Sequence, residues 1–238
     1  MTSSSKRKRG SGKTKTRKKA RYTKWTSSRT TSAADSLQVQ TFLWAEDQSF
    51  NTGGGCRLLT SFTRGSGENQ RKSQETITYK VAVNLGISAS TTVQKYCLTS
   101  HPICWLVYDK TPGIADLTPT DIFDVPTGLN NWPSTWKVKR EASHRFVVKR
   151  RWPFRLSVNG STFSADYTKL PVPNTDNLCT INRFAKGLGV RTEWKDTVSA
   201  DASDIKGGAL YIVLAPANGL VFTARGVIKV YFKSVGNQ

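Results

Sequence analysis

Residues 76–85, "TITYKVAVNL", alternate strictly: Ile77, Tyr79, Val81, Val83 and Leu85 fall on one face, and Thr78, Lys80 and Asn84 on the other. A period of two over this length predicts a half-buried strand. The same reading predicts strands at 56–62, 93–98, 103–109, 134–141, 144–152, 177–184, 188–194, 209–215, 220–224 and 227–233. These segments are rich in β-branched and aromatic residues, and Gly, Pro, Asn and Asp stand between them. One helix start is legible, in "TPTDIFD": Thr118 can cap, Pro119 takes the first helical position and Asp121 suits the first turn. No stretch keeps a 3.6-residue period and no internal repeat is present. Short strands at regular spacing with turns between them predict an all-β sandwich, jelly roll or barrel.

The pattern begins at Leu37. Residues 1–36 are mostly Ser, Thr, Gly, Lys and Arg and have little to bury, so they are expected to be disordered alone. This divides the chain into an arm, 1–36, and a body, 37–238.

Charge sharpens the division. The 238 residues carry a net +20, of which residues 1–30 supply +12 without a single carboxylate; the first acid is Asp35. Residues 137–155 hold eight cations against Glu141. The rest of the chain is close to balanced. Charge this concentrated repels itself and calls for a polyanion. Nucleic acid fits better than a lipid surface, because the arm has no apolar face and Thr2 leaves no myristoylation signal. The N-terminus has no apolar signal-peptide core. The longest apolar runs, 103–108 and 209–217, fall short of the roughly 18 residues of a membrane span, so no membrane insertion is expected.

Catalytic chemistry is missing from the sequence. His101 and His144 belong to no metal-ligand pattern, "GKT" at 12–14 lacks the strand and glycine of a phosphate loop, and Gly53-Gly54-Gly55 precedes a strand and reads as a turn. Cys56, Cys97, Cys104 and Cys179 match no zinc spacing and are expected as small core residues, so no cofactor is expected. Asp116, Asp121 and Asp124 read as cap, loop or rim residues before they read as a calcium site.

Binding chemistry is present twice. In the arm, Lys6-Arg7-Lys8-Arg9 and Arg17-Lys18-Lys19-Ala20-Arg21 form a two-cluster basic pattern that fits the acidic grooves of a nuclear import receptor. The arm's cations, among them Lys13, Lys15, Arg17, Lys18, Lys19, Arg21 and Lys24, can condense on phosphates, and Tyr22 and Trp25 can stack on unpaired bases. In the body, Lys137, Lys139, Arg140, Arg145, Lys149, Arg150 and Arg151 interleave with Trp132, Trp136, Phe146, Trp152 and Phe154. On strands this predicts one packed apolar face and one cationic face, with Arg145, Val147 and Lys149 turned away from Phe146 and Val148. The aromatics are expected to fill core, and the charges to face nucleic acid rather than acids on a neighbouring subunit.

"WLVYDKTPG" (105–113), "WPSTWKVKRE" (132–141), "HRFVVKRRW" (144–152), "GLGVRTEWK" (187–195), "GALYIVLAPANGL" (208–220) and "VYFKSVGNQ" (230–238) resemble geminivirus coat proteins, most closely those of the mastrevirus group. The resemblance covers most of 37–238. It implies an eight-stranded jelly roll that forms pentamers and twinned incomplete icosahedra around circular single-stranded DNA. It also implies an arm, matching at Lys6–Arg9 and Arg17–Arg21, that binds single- and double-stranded DNA and carries the genome into the host nucleus. Roles in movement, with a separate movement protein, and in transmission by an insect vector are implied as well. The zinc-binding Cys/His cluster of some relatives is not reproduced here. The alternatives are a ribosomal or other RNA-binding protein with a basic tail, and an RNA-virus coat of the same fold.

Overall fold

A computed structural model of the chain describes residues 37–51, 53–90, 99–113, 117–126, 131–157, 178–217 and 220–235. All of them belong to the second of two units, Met1–Thr30 and Thr31–Gln238. Twelve strands run through the described residues: β1 (Gln38–Phe50), β2 (Gly55–Leu58), β3 (Glu75–Ala89), β4 (Thr99–Ser100), β5 (Ile103–Asp109), β6 (Phe146–Pro153), β7 (Leu156–Ser157), β8 (Leu178–Ala185), β9 (Val190–Trp194), β10 (Ile205–Gly207), β11 (Ala209–Ala215) and β12 (Phe222–Val235). The predicted strand at 93–98 lies outside the described residues.

Every ladder between these strands is antiparallel. One sheet has the order β1-β12-β3-β9-β10, with β8 also on β3; the other has β2-β11-β5-β6. β8 and β9 act as one bent strand: β8 pairs Val81–Ser88 of β3 and β9 pairs Glu75–Thr78. The bend is made by Gly187 and Gly189 at φ +64° and +56°, a conformation that side chains with a Cβ resist. Counting the principal strands along the chain, the sheets then read first-eighth-third-sixth and second-seventh-fourth-fifth. That double Greek-key order is the jelly roll.

Two apolar layers explain the sequence pattern. Between the sheets lie Phe62, Val81, Val83, Leu106, Ile212, Phe232 and their neighbours. A second layer covers the far side of β5 and β11: Trp105, Val107 and Val213 pack under Ile122, Phe123 and Trp136. β5 and β11 are therefore buried on both faces, which is why 103–108 and 209–217 read as unbroken apolar runs. The Trp105 and Trp136 rings stack 5.7 Å apart at 7°, with Phe123 5.0 Å from Trp105. The Trp136 indole N–H donates to Asn131 Oδ1 at 2.6 Å. The helix start is where the sequence puts it, in α1 (Pro119–Ile122). The Thr118 N–H donates to Asp121 Oδ2 at 2.8 Å, and the Thr118 hydroxyl and backbone bonds hold the Asp121 carboxyl below the usual carboxylate range. Gly53 and Gly54 form the expected turn, with the Gly54 N–H on Asn51 O at 2.8 Å.

Several expectations change. β1 was not among the predicted strands; Phe42 and Trp44 point inward while Leu43 between them is 62% exposed, so its alternation is blurred. In β3, Tyr231 pairs Lys80 and Phe232 pairs Thr78, so Tyr79 is an extra residue. This bulge inverts the faces: Thr76 and Thr78, not Ile77 and Tyr79, are buried beside Val81 and Val83. Segments 220–224 and 227–233 are one strand, β12. Residues 134–141 are not a strand: Pro133–Thr135 is a 3-10 turn, and burial of Trp136 on Trp105 leaves only a single bridge, Phe123 to Val138. His144 lies in the turn before β6 and does not open the strand.

Of the cysteines, Cys104 is buried in the main core and Cys56 and Cys179 are half-buried. Burial raises all three thiols, Cys56 to about 12. Cys104 is the core residue the sequence predicts, and Cys56 and Cys179 pack against that core from its margin. Cys97 lies outside the described residues.

Candidate nucleic-acid interface

The internal basic segment runs from the outer layer into β6, an edge strand of its sheet among the described residues. Tight turns carry it there: the Ala142 N–H bonds Lys139 O at 3.1 Å and the Arg145 N–H bonds Ala142 O at 3.0 Å. Lys137 and Arg140 are exposed and Lys139 is half-buried.

Arg145 has an internal partner. Its Nε and Nη2 donate to Asp109 Oδ1 and Oδ2, both at 2.8 Å, and Asp109 is fully buried at the end of β5. The bond to Asp109 holds the Arg145 pKa above the usual arginine value. A bidentate pair at this depth serves the fold, and it removes Arg145 from the surface charge. Arg145→Ala leaves the Asp109 carboxylate buried without its counter-charge. We expect a loss of about 3 kcal/mol, the low end of the range for broken buried pairs, because Arg145 is partly wetted. Urea unfolding measures it.

The next cations are different. The Lys149 ammonium lies 5.1 Å from the Tyr108 ring centre. Arg150 donates to Lys149 O and Lys186 O, each at 2.7 Å, and Arg151 donates to Ser134 O at 3.0 Å. These acceptors are carbonyls, so the bonds aim the guanidinium groups without neutralising them. The faces expected of β6 are also corrected. Leu106 pairs Arg150 while Val107 pairs Val148, so Lys149 is an extra residue in a bulge. Before it Phe146 and Val148 pack on the outer layer; after it Trp152 packs on the main core. Both faces of β6 therefore hold apolar groups, and the cations gather at the bulge, not along one face. Lys137, Arg140, Arg150 and Arg151 are exposed, and among the described residues none pairs with a carboxylate. Charge at a sheet edge also blocks strand-to-strand association.

The aromatics divide as their packing requires. Trp136 and Phe146 are buried, Trp152 and Phe154 pack partly on the main core, and Trp132 is 46% exposed. Arg57 was not anticipated. It lines a cleft of about 460 Å³ with Trp44, Phe50 and Ile212. Its guanidinium lies 5.3 Å from the Trp44 ring and 5.8 Å from the Phe42 ring, and burial lowers its pKa. The only signal for it is a lone arginine between apolar residues in "CRLL".

The arm residues Lys6, Arg7, Lys8, Arg9, Lys13, Lys15, Arg17, Lys18, Lys19, Arg21, Tyr22, Lys24 and Trp25 lie outside the described residues. Among the described residues no group of three His, Cys, Asp or Glu could hold a metal, and no helix is long and apolar enough to cross a membrane. The geometry offers fixed positive charge on a rigid sheet edge, suited to phosphate contact without base readout.

The chain is 58% identical to the capsid protein of Chloris striate mosaic virus, over 99% of this chain and 98% of that one. It is 43% identical to the capsid protein of Maize streak virus genotype B (isolate Tas), over 99% and 100%. Against the capsid protein of Maize streak virus genotype A (isolate South Africa) it is 46% identical over 85% and 84%. Among solved structures, the VP2 subviral particle of infectious bursal disease virus aligns with 83% of this chain at 12% identity and a TM-score of 0.26. The chain spans only a third of that VP2, 33%, and the fold rests on the strand order instead. A model of the geminivirus coat protein/nuclear export factor BR1 family matches residues 1–238, so the chain belongs to that family and is a structural capsid protein of the virion.

Proposed function

We propose that this capsid subunit packages circular single-stranded DNA by placing a dense cationic arm on the phosphates inside a shell of jelly-roll bodies. The single observation that carries the reading is the distribution of charge: +12 within residues 1–30, with no carboxylate, on a body that carries little net charge outside 137–155. Phosphate neutralisation releases counterions and needs no sequence preference, so double-stranded DNA is bound by the same means. Lys137, Lys139, Arg140, Lys149, Arg150 and Arg151 add fixed contacts on the body. The bodies assemble as pentamers into twinned icosahedra. The two basic clusters of the arm engage a nuclear import receptor, which brings the genome into the host nucleus and, with a movement protein, onward between cells. Insect-vector factors meet the outer surface.

The test mixes the purified full chain with circular single-stranded DNA at low salt, then images the mixture and adds nuclease. Closed, twinned particles with protected DNA are the expected result. Unassembled protein, with DNA held equally well at low and high salt, would overturn the reading.

A further inference from the structure

The first sheet has an outward face, on the opposite sheet from the cations of β6. Its register brings residues from four distant stretches into rows. Val39 pairs Tyr231, which pairs Lys80. Thr41 pairs Lys229, which pairs Ala82, which pairs Phe184. Leu43 pairs Val227, then Asn84, then Asn182. Each alternates with core residues: Ile228, Val230 and Phe232 are buried beside Val227, Lys229 and Tyr231.

Two aromatic rings stand on this face. Phe184 is 49% exposed and meets Tyr231 edge to face, centroids 6.2 Å apart at 86°. Strands two apart are about 10 Å apart, and the small side chain of Ala82 between them leaves room for the rings to approach. The Lys186 ammonium lies 5.4 Å from the Phe184 ring centre. Lys80, Lys229 and Lys233 stand around the pair. Among the described residues none of these four lysines makes an ion pair, and the three rows contain no carboxylate. Glu75 and Glu193 lie one same-face step beyond the Lys233–Ile77 pair, and Arg191 holds both.

We infer that this face, centred on Phe184 and Tyr231 and ringed by Lys80, Lys186, Lys229 and Lys233, is a binding platform for single-stranded nucleic acid. An exposed ring on a rigid sheet offers a surface for an unpaired base, and the lysines meet the phosphates on either side of it. A duplex hides its base faces and gains only the charge contacts. A second copy docked through this same face is a poor occupant, because the two positive faces repel each other. The platform rests on the packaging reading and deepens it, by giving the DNA a second contact that reads single-strandedness.

The experiment uses the full chain and three changes: Phe184→Ala, Phe184→Trp, and the triple Lys80→Gln/Lys229→Gln/Lys233→Gln. Binding of a labelled oligothymidylate and of an abasic oligomer of equal length is followed against salt. Phe184→Ala weakens the oligothymidylate about tenfold or more and leaves the abasic oligomer unchanged, whereas Phe184→Trp retains both. The lysine triple lowers the salt slope by about 2 for both oligomers. Ultraviolet cross-linking of a bromouracil-substituted strand marks Phe184 or Tyr231. If Phe184→Ala, the triple and the cross-link map are all silent while deletion of the arm still abolishes binding, the platform is refuted and the packaging reading survives. If the unaltered chain binds neither oligomer, both fall. Loss of shell assembly with DNA affinity intact assigns the face to a protein neighbour and also refutes the platform.

Discussion

Deleting residues 2–24 is expected to lower the salt slope of single-stranded DNA binding by up to about 8. Eleven Lys and Arg are removed with the segment, and each phosphate contact on a single strand contributes about 0.7 to the slope. The full chain should lose about a thousandfold or more in affinity between roughly 50 and 200 mM salt, and the deleted chain far less. The body should keep its melting temperature, since no described strand begins before Gln38. Fluorescence anisotropy over a salt series measures the slope, and calorimetry checks the fold. An unchanged slope would show that the arm is not what holds the DNA. The same arm fused to a reporter should carry it into nuclei, and alanine at Lys6–Arg9 together with Arg17–Arg21 should leave it in the cytoplasm.

Replacing Arg71 with Ala should cost about 5 kcal/mol. Arg71 is fully buried, and its nearest neighbours are backbone and ring instead of carboxylate. Its Nε donates to Phe62 O at 3.0 Å, and its Nη2 donates to the carbonyls of Thr197 and Ser199. The guanidinium lies 4.6 Å from the Trp194 ring. Its backbone closes the loop from the other side: the Arg71 N–H bonds Thr63 O at 2.8 Å, and the Gly65 N–H bonds Arg71 O at 3.0 Å. One side chain thus joins the 62–71 loop to the 197–199 segment. Burial, helped by the like charge of Arg64, lowers its pKa, so the charge itself is a cost offset by these bonds. Alanine strands the carbonyls at about 1–3 kcal/mol each and leaves a cavity beside Trp194. The melting temperature should fall by about 10–20 °C. Arg71→Met fills the space but supplies no donor, and it should lose about half as much. Equal melting temperatures for Arg71→Met and the unaltered chain would show that the carbonyls find water instead.

Neither arginine with an internal role could be identified from its place in the chain. Arg71 lies in a polar loop, "NQRKSQ", that reads as solvent-exposed, and Arg145 lies among surface cations. Their partners sit at Thr197 and Asp109, far away in sequence. The strands were legible where one side of the sheet faces water or where both sides are covered, as in 81–85, 103–109 and 209–215. They were misread where a contact out of sequence overrides the local pattern. Trp136 is drawn onto Trp105 and breaks up a strand-like run. The bulges at Tyr79 and Lys149 turn every side chain beyond them to the other face, and a one-residue slip leaves no compositional mark.

Charge and alternation are properties of neighbours along the chain. They were enough to establish an all-β body, most of its strands and the concentration of positive charge in residues 1–30. Which strands lie side by side depends on closure between β1 and β12, or β2 and β11, across most of the chain's length. Pairing between strands joins Arg145 to Asp109 through β5 and β6, buries Arg71 among carbonyls, and assembles lysines and aromatics from β3, β8 and β12 on one sheet face. Hydrogen bonding between strands is set by the whole sandwich, and no local window contains it.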